Sequence, residues 1–207
     1  MALEYEITGT RNGVNTSASG GLTWQRNDQS YIARLDVTTL LIFKREQISN
    51  GLLAPDGLRP LFFEDHKRRI QRADFDPEGK LVRYSNGHHM RWPDDGQDRV
   101  SMLITLGRLT QAAMQGGETR FELPVSDGND WQVWGFDIQG RETVDTPSGP
   151  WPAVRLVRDD ADTRGQDTQL WLAPSLQWLP VRMLIREANG DLADQTLRAH
   201  RRLEPLA

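Results

Sequence analysis

Four histidines, His66, His88, His89 and His200, are the side chains best suited to acid–base or metal chemistry near neutral pH. His88 and His89 are adjacent, and adjacent side chains of an extended chain point to opposite faces. The sequence contains no HExxH motif and no other set of ligands with metal-site spacing. We therefore expect histidines in surface loops and predict neither a metal site nor a cofactor.

The carboxylates and nucleophiles do not form a recognisable catalytic motif. Glu64-Asp65 and Asp94-Asp95 are sequence neighbours, and nothing in their spacing makes the two pairs converge. A GxSxG elbow, a P-loop and a dinucleotide fingerprint are all absent. The chain has no cysteine, which excludes cysteine nucleophiles, thiolate metal sites and disulfides. We predict a protein that is not an enzyme, with a hydrolase whose site assembles across the fold as an alternative.

The strongest cationic cluster is Lys67-Arg68-Arg69, with Arg72 close behind. Such a cluster can bind phosphate head groups or a nucleic-acid backbone. If it lies on a strand, its side chains are divided between two faces, and its commoner role is to guard an edge strand against aggregation. The net charge of −4 gives no bulk attraction to a polyanion, so we predict no nucleic-acid partner.

Aromatic side chains supply the other candidate chemistry, because the chain has seven tryptophans. Indole rings offer large apolar faces with one polar edge, which suits a groove for a lipid, aromatic or sugar ligand. Packing in the core and rim of a β-sheet is their commoner role. In the run WQVWGFDI, period-two alternation places Trp134, Phe136 and Ile138 on one face of a strand.

A helix is the first element that must position these residues. In the run QDRVSMLITLGRLTQAAMQGG, apolar residues recur at roughly helical spacing. Asp98 is placed to cap the first turn, and Gly116 and Gly117 are placed to end the last. The pattern predicts one helix at about 98–115. Gly107 weakens its intrinsic helicity by about 1 kcal/mol, so we expect packing on a broad apolar surface to hold it.

Most of the remaining chain alternates apolar and polar residues as strands do, for example over Leu3–Thr8 and Tyr31–Thr38. Turn signals separate the strands, including Asn50-Gly51, Asn189-Gly190-Asp191 and the acidic stretch Asp159–Gln166. Short strands with frequent turns predict a mainly β fold. We expect a strongly curved antiparallel sheet, or an open half β-barrel, that embraces one long α-helix in a single domain over residues 1–207.

Three segments, LEYEITG, QDRVSMLITLGRL and QLWLAPSLQWLPVRMLIREANGDLADQTLR, together resemble the bacterial domain-of-unknown-function family 3108. The WLAP…LPVR spacing is the most specific part of the resemblance. It implies a curved sheet around one helix, similar to the lipoprotein-carrier half-barrels, and a periplasmic location in the envelope of Gram-negative bacteria. It supplies no activity and no catalytic residues. No apolar signal segment follows Met1, and no apolar run approaches the roughly 18 residues of a transmembrane helix.

These observations favour a non-catalytic cell-envelope protein that shelters an apolar or amphipathic, lipid-like ligand between the curved sheet and the helix. One helix covers only part of a large concave face, so apolar area should remain beside it. The expected ligand-binding residues are Leu103, Leu106, Trp134, Phe136, Ile138 and Trp171. The alternative is a structural or assembly module that binds an envelope protein partner through a sheet edge or the basic cluster.

Overall fold

Strands dominate the computed structural model, which describes residues 1–39, 44–159 and 166–206. The apolar residues directly before Lys44 and most of the predicted turn Asp159–Gln166 lie outside these ranges. The described residues form fifteen strands and one α-helix, Arg99–Gly116 (α1). The strands are Ala2–Arg11 (β1), Val14–Arg26 (β2), Ser30–Thr39 (β3), Lys44–Ala54 (β4), Gly57–His66 (β5), Ile70–Asp76 (β6), Leu81–Tyr84 (β7), His89–Arg91 (β8), Gln97–Asp98 (β9), Arg120–Ser126 (β10), Trp131–Thr146 (β11), Gly149–Arg158 (β12), Asp167–Ala173 (β13), Leu179–Arg186 (β14) and Leu192–Arg201 (β15).

All of these strands belong to one sheet. From the edge strand β8, neighbouring strands follow in descending order to β1. Strand β1 pairs with β15, and the order then descends again to β9 at the other edge. The strands pair antiparallel except β9 with β10, which pair in parallel. The predicted fold class is therefore confirmed: a mainly β protein with a large curved sheet that does not close and embraces one helix.

The two ends of the sheet meet through side chains and not through strand pairing. Near β7, the hydroxyl of Ser126 lies 3.3 Å from the hydroxyl oxygen of Tyr84. Near β8, the indole nitrogen of Trp131 donates to the carbonyl of Arg91 at 2.9 Å. The ring of Trp131 also meets the ring of Trp92 edge to face, with centroids 6.4 Å apart. These contacts hold the curvature that gives the sheet its concave face.

Strand β1 shows how the alternating sequence builds the core. Leu3, Tyr5 and Ile7 are buried, whereas Glu4 and Glu6 between them are exposed. Burying each apolar side chain of this size contributes roughly 1.5–3 kcal/mol. The face that carries the apolar residues is the inner face of the sheet.

Helix α1 begins and ends close to where the sequence predicts. Asp98 is the N-cap, and its side chain accepts from the backbone amides of the first turn. Gly117 ends the helix in the left-handed conformation, with φ of 75°. The predicted range of about 98–115 differs from the observed Arg99–Gly116 by one residue at each end.

The helix packs between the two halves of the sheet. It contacts β3, β4 and β5 on one side and β10 and β14 on the other. Val100, Leu103, Leu106 and Ala113 are buried, at the spacing of one helical face. Contact with both halves of the sheet places α1 in the hollow, as predicted.

A glycine in the middle of α1 permits close contact with the connection between β13 and β14. The 3₁₀ turn Pro174–Leu176 leads into Gln177 and Trp178, whose backbones are both left-handed, with φ of 57° and 60°. A Cβ added to Gly107 would lie 2.3 Å from the Cβ of Trp178. The connection WLAPSLQW therefore places Trp178 directly against the backbone of α1 at Gly107, which has no side chain.

Two sequence-based expectations about local structure are wrong. Asn50 and Gly51 are not a turn but lie inside β4, where the register with β5 shifts between them. A Cβ on Gly51 would lie 2.1 Å from the carbonyl oxygen of Arg59, so this glycine admits the neighbouring backbone at a bulge. The cluster 67–69 is not on a strand but forms the turn between β5 and β6. Strand β6 has partners on both sides, so the cluster guards no edge.

Replacing Gly107 with alanine should lower the free energy of unfolding by about 1–3 kcal/mol, because the added methyl group collides with Trp178. Gly116→Ala is the matched control. It lies in the last turn of the same helix, where the nearest atom to an added Cβ is 3.9 Å away, so it should stabilise by up to about 1 kcal/mol. Urea unfolding measures both variants. A stabilising effect of Gly107→Ala would contradict the contact with Trp178.

Candidate functional site

A cleft of about 230 Å³ lies between the first half of α1 and the concave face of the sheet. Its volume is somewhat below the roughly 300–1,000 Å³ of typical small-molecule sites. Its apolar lining consists of Leu35, Val37, Met102, Leu103, Trp134, Leu170, Met183 and Ile185. Its polar lining consists of Arg45, Gln47, Arg99, Arg158, Gln166, Thr168, Glu187 and Gln195. An apolar wall with a guanidinium-rich rim suits a ligand with one apolar and one polar end.

Regular spacing places these side chains in the cleft. Leu35 and Val37 are two residues apart on β3 and so share its inner face. Met183 and Ile185 do the same on β14. On α1, Arg99 lies four positions before Leu103 and faces the same way. The cleft is therefore a product of the same alternation that builds the core.

The start of α1 is fixed by a buried hydrogen-bond network centred on Asp98, which is fully buried. One carboxylate oxygen accepts from the amides of Val100 and Ser101 at 2.8 and 2.9 Å. The other accepts from the hydroxyl of Ser49 on β4 at 2.6 Å. The Ser49 hydroxyl in turn lies 3.0 Å from the hydroxyl of Tyr31 on β3. This network ties the helix start to the two strands that line one wall of the cleft.

Burial changes the ionisation of this network. It raises the pKa of Asp98 to about 6, although the hydrogen bonds from Ser49, Ser101 and Val100 act in the opposite direction. Burial, together with the Asp98 carboxylate, also raises the pKa of Tyr31 well above its ordinary value. Tyr31 therefore remains a neutral hydroxyl at physiological pH.

The preceding residue, Gln97, attaches the helix start to other elements. Its side-chain amide donates to the carbonyl of Leu58 on β5 at 2.9 Å, and its side-chain oxygen accepts from the hydroxyl of Thr105 at 3.1 Å. Its backbone lies in the parallel pairing with β10, opposite Val125. The orientation of the cleft-lining face of α1 is thus set from both sides of the hollow.

At the rim of the cleft, Arg45 is held by a buried carboxylate. It forms two hydrogen bonds with Asp65, of 2.9 and 2.6 Å. Lys67 lies 3.0 Å from the same carboxylate, and Gln47 donates to it at 3.1 Å. Burial alone would raise the pKa of Asp65, but the hydrogen bonds and charges of Arg45 and Lys67 outweigh it and lower the pKa. The charge of Arg45 is largely compensated within the protein.

Two further guanidinium groups lie near Trp134. The guanidinium of Arg158 is 3.5 Å from the centre of the indole ring, and that of Arg99 is 5.7 Å from it. These distances are in the range of cation–π attraction. The carboxylate of Asp127 is 3.9 Å from Arg99, and burial lowers the pKa of Arg99. Two guanidinium groups therefore lie near the indole ring of Trp134 at the rim of the cleft.

Some polar atoms of cleft-lining residues are buried without a hydrogen bond. Among the described residues, neither Nε of Arg99 nor Oε1 of Gln195 has a partner. Gln195 is 8% exposed, so its side-chain oxygen gains little from solvent. Buried polar atoms are almost always paired in native proteins. These two buried atoms are therefore exceptions among the polar groups around the cleft.

The structure brings some of the predicted ligand-binding residues together and separates others. Leu103 and Trp134 both line the cleft. Leu106 and Phe136 are completely buried in the core and do not reach it. Ile138 is half-buried and packs against the core beyond the cleft. The inward face of β11 was predicted correctly, but most of its side chains pack against other residues and do not border the cleft.

Trp171 lies on the face of the sheet opposite the cleft. Its neighbour Leu170 lines the cleft, so period-two alternation turns Trp171 outward. There its indole nitrogen donates to Glu142, and its ring lies between the guanidinium groups of Arg155 and Arg182, at 5.5 and 4.7 Å. The structure therefore does not bring Trp171 to the predicted site.

The histidines lie outside the cleft. Nε2 of His66 is 2.7 Å from a carboxylate oxygen of Glu64, His88 and His89 are exposed, and His200 meets the ring of Trp151. In residues 1–39, 44–159 and 166–206, no three His, Cys, Asp or Glu side chains are grouped as metal ligands. Over the same ranges, no helix combines the length and hydrophobicity required to cross a membrane.

Comparison with known proteins identifies a family and a fold. A family model described as "Protein of unknown function (DUF3108)" matches residues 4–198. The crystal structure of a beta-barrel-like protein of domain of unknown function DUF1849 from Brucella abortus is similar, with a TM-score of 0.61 and 11% identity over 95% of this chain and 94% of that chain. At this identity the likeness shows the fold alone. No curated protein matches the chain.

The raised pKa of Asp98 predicts a pH-dependent stability. Its folded-state pKa of about 6 lies above the ordinary 3.8, so the folded protein binds a proton more tightly than the unfolded chain. Stability should therefore fall as pH rises from about 4 to about 6, by up to roughly 3 kcal/mol. Asp98→Asn keeps a capping oxygen but cannot ionise, so this part of the pH dependence should disappear.

Urea unfolding of the wild type and Asp98→Asn between these pH values measures the difference. Asp94→Asn is the control, because Asp94 is an exposed carboxylate whose pKa is lowered by its hydrogen bond and ion pair with Lys80. It should leave the fall in stability intact. If the wild type and Asp98→Asn respond identically to pH, the buried carboxylate is not its source.

Proposed function

This chain belongs to the DUF3108 family of unknown function, and from that premise we propose that it is a non-catalytic cell-envelope protein that shelters an apolar or amphipathic small molecule. The ligand occupies the cleft between α1 and the concave face of the sheet. The observation that carries the proposal is the cleft itself, an unfilled space of about 230 Å³ beside a helix that leaves part of the hollow uncovered. Apolar side chains that face a cleft gain free energy when the apolar surface of a ligand covers them.

The lining suits a ligand with one apolar end and one polar end. Its apolar part lies against Leu103, Trp134 and Met183, and its polar part lies at the rim near Arg99 and Gln195. The guanidinium group of Arg99 can donate hydrogen bonds to that end, and the side-chain amide of Gln195 can donate or accept them. The volume suits one small ligand, or the end of one hydrocarbon chain, better than a lipid with several chains.

The alternative, a module that binds a protein partner through a sheet edge, receives less support. The edge strands β8 and β9 are three and two residues long. Short edges offer few free backbone groups for strand addition. The histidines lie outside the cleft, so the proposal includes no catalytic step.

The envelope location is part of the proposal and rests on the resemblance of the three sequence segments to exported proteins. Fractionation of the native host, followed by detection with an antibody, should recover the protein with a periplasmic marker. Recovery with a cytosolic marker would contradict this part of the proposal and leave the ligand cleft untouched, because the two rest on different observations.

The sheltering role can be tested by filling the cleft. Thr168 lines it, so Thr168→Trp should occupy the space and weaken binding of the fluorescent probe N-phenyl-1-naphthylamine about tenfold or more, or at least about 1.4 kcal/mol. Thr8→Trp is the matched control, because Thr8 is an exposed strand residue on the opposite face from the buried Tyr5 and Ile7. It should bind the probe as the wild type does.

Native mass spectrometry provides the second measurement. Wild-type protein and Thr8→Trp, purified from the native host, should retain an added mass that Thr168→Trp lacks. Equal probe affinities and equal masses for all three proteins would contradict the proposal. Urea unfolding of each variant confirms that the comparison is between folded proteins.

A further inference from the structure

Two strand connections that are far apart in the sequence share one surface groove. Arg11, at the end of β1, lines this groove together with Lys67, Arg68, Arg69 and Gln71. In the sheet, β3 and β4 lie between the β1–β2 pair and the β5–β6 pair. Curvature of the sheet therefore brings the two connections together and gathers four cationic side chains on one surface.

Within the described ranges, Lys67 is the one of these four cations that forms an ion pair, and the Asp191 carboxylate lies beside Arg11, where it accepts from the amide of Asn12 at 2.7 Å. Lys67 is 3.0 Å from the Asp65 carboxylate, which is already held by Arg45. Among the described residues, no carboxylate lies within 4.0 Å of the side-chain nitrogens of Arg11, Arg68 or Arg69. The sequence-based interpretation as a charged edge strand does not apply, because the cluster is a turn.

Two exposed aliphatic side chains flank the cations. Val14 is 65% exposed and Ile70 is 57% exposed, the highest values among large apolar residues in the described part of the chain. Val14 is the direct cross-strand partner of Arg11 and lies on the same face of the sheet. Ile70 follows Arg69 and is the β6 neighbour of the groove-lining Gln71, so it lies on the outer side of the cations. Single exposed apolar residues are ordinary on protein surfaces. Two of them beside four cations combine the features of a membrane-surface contact.

We name this surface, formed by Arg11, Val14, Lys67–Arg69 and Ile70, the rim patch. In an antiparallel meander, the C-terminal ends of β1, β3 and β5 lie at the same end. Val37, near the end of β3, is paired with Arg45, near the start of β4, and both line the cleft. The rim patch therefore lies at the end of the molecule where the cleft opens.

From this arrangement we propose that the rim patch docks the protein onto the surface of an anionic lipid bilayer. The cations contact lipid phosphates, and Val14 and Ile70 enter the head-group region. A nucleic acid fits less well, because the patch contains no aromatic ring on which a base can stack. Each cation near such a surface strengthens binding about fivefold. This inference does not depend on the cleft holding a ligand.

Vesicle co-sedimentation tests the proposal. The wild type should bind mixed phosphatidylcholine–phosphatidylglycerol vesicles, should not bind pure phosphatidylcholine vesicles, and should be released by salt. Arg68→Gln/Arg69→Gln should weaken binding about tenfold or more. Arg201→Gln/Arg202→Gln is the matched control. It removes the same charge from exposed residues, and Arg201 is paired with Ala2 at the opposite end of β1 from Arg11.

The control pair should bind vesicles within about twofold of the wild type. Equal losses in both double variants would overturn the proposal, because net charge alone would then explain binding. Failure of the wild type to bind the anionic vesicles would overturn it as well, as would tighter binding to duplex DNA than to vesicles at equal phosphate concentration.

Ile70→Ser provides a second readout. This variant should bind the vesicles several-fold more weakly than the wild type, with little change in the salt dependence of binding. If Ile70→Ser bound the vesicles as tightly as the wild type, the exposed aliphatic residues would not contribute to docking, and the proposal would be overturned. Binding of N-phenyl-1-naphthylamine should remain unchanged in Arg68→Gln/Arg69→Gln, and vesicle binding should remain unchanged in Thr168→Trp. The failure of docking and the failure of ligand sheltering are therefore distinguishable.

Discussion

The buried carboxylate of Asp98 is the interaction on which the rest of the structure depends. It accepts hydrogen bonds from the first turn of α1 and from Ser49 on β4, so one side chain both starts the helix and attaches it to the sheet. A buried carboxylate without such partners would be strongly destabilising. These bonds fix the position of the start of α1 in the hollow, and Arg99 and Leu103 of its first turns face the cleft.

Local rules predicted the helix and the meander because their causes lie within a few residues. An acidic cap and a terminal glycine fixed the limits of α1 to within one residue, and period-two alternation identified β1 and β3. Ser49 could not be recognised as the partner of Asp98, since the two are 49 positions apart. The same limit explains Asn50-Gly51. Their dipeptide is a strong turn signal, but pairing of β4 with β5 on both sides of the bulge overrides it.

The candidate site was predicted only in part, for the same physical reason. The shared face of Trp134 and Phe136 followed from alternation, but whether a buried side chain faces a void or a neighbour depends on packing across the whole sheet. Phe136 meets Phe121 with ring centroids 5.6 Å apart, whereas Trp134 packs at the margin of the core and lies under the guanidinium groups at the cleft. Trp171 was predicted as a ligand-binding residue because tryptophan is abundant in this chain, but its neighbour Leu170 is the residue that faces the cleft. The sequence offered no signal for the arginines of the rim.

Curvature connects the cleft with the charged rim. A flat sheet of this width would separate the β1–β2 and β5–β6 connections by the full breadth of four strand spacings, about 19 Å. Contact of Arg11 and Lys67 with one groove requires the sheet to bend strongly between them. The same bend creates a hollow wider than one helix can fill, and Gly107 lets α1 settle against one wall at Trp178. The space left beside the first half of the helix, and the cations gathered at the same end of the molecule, therefore follow from a single geometric cause.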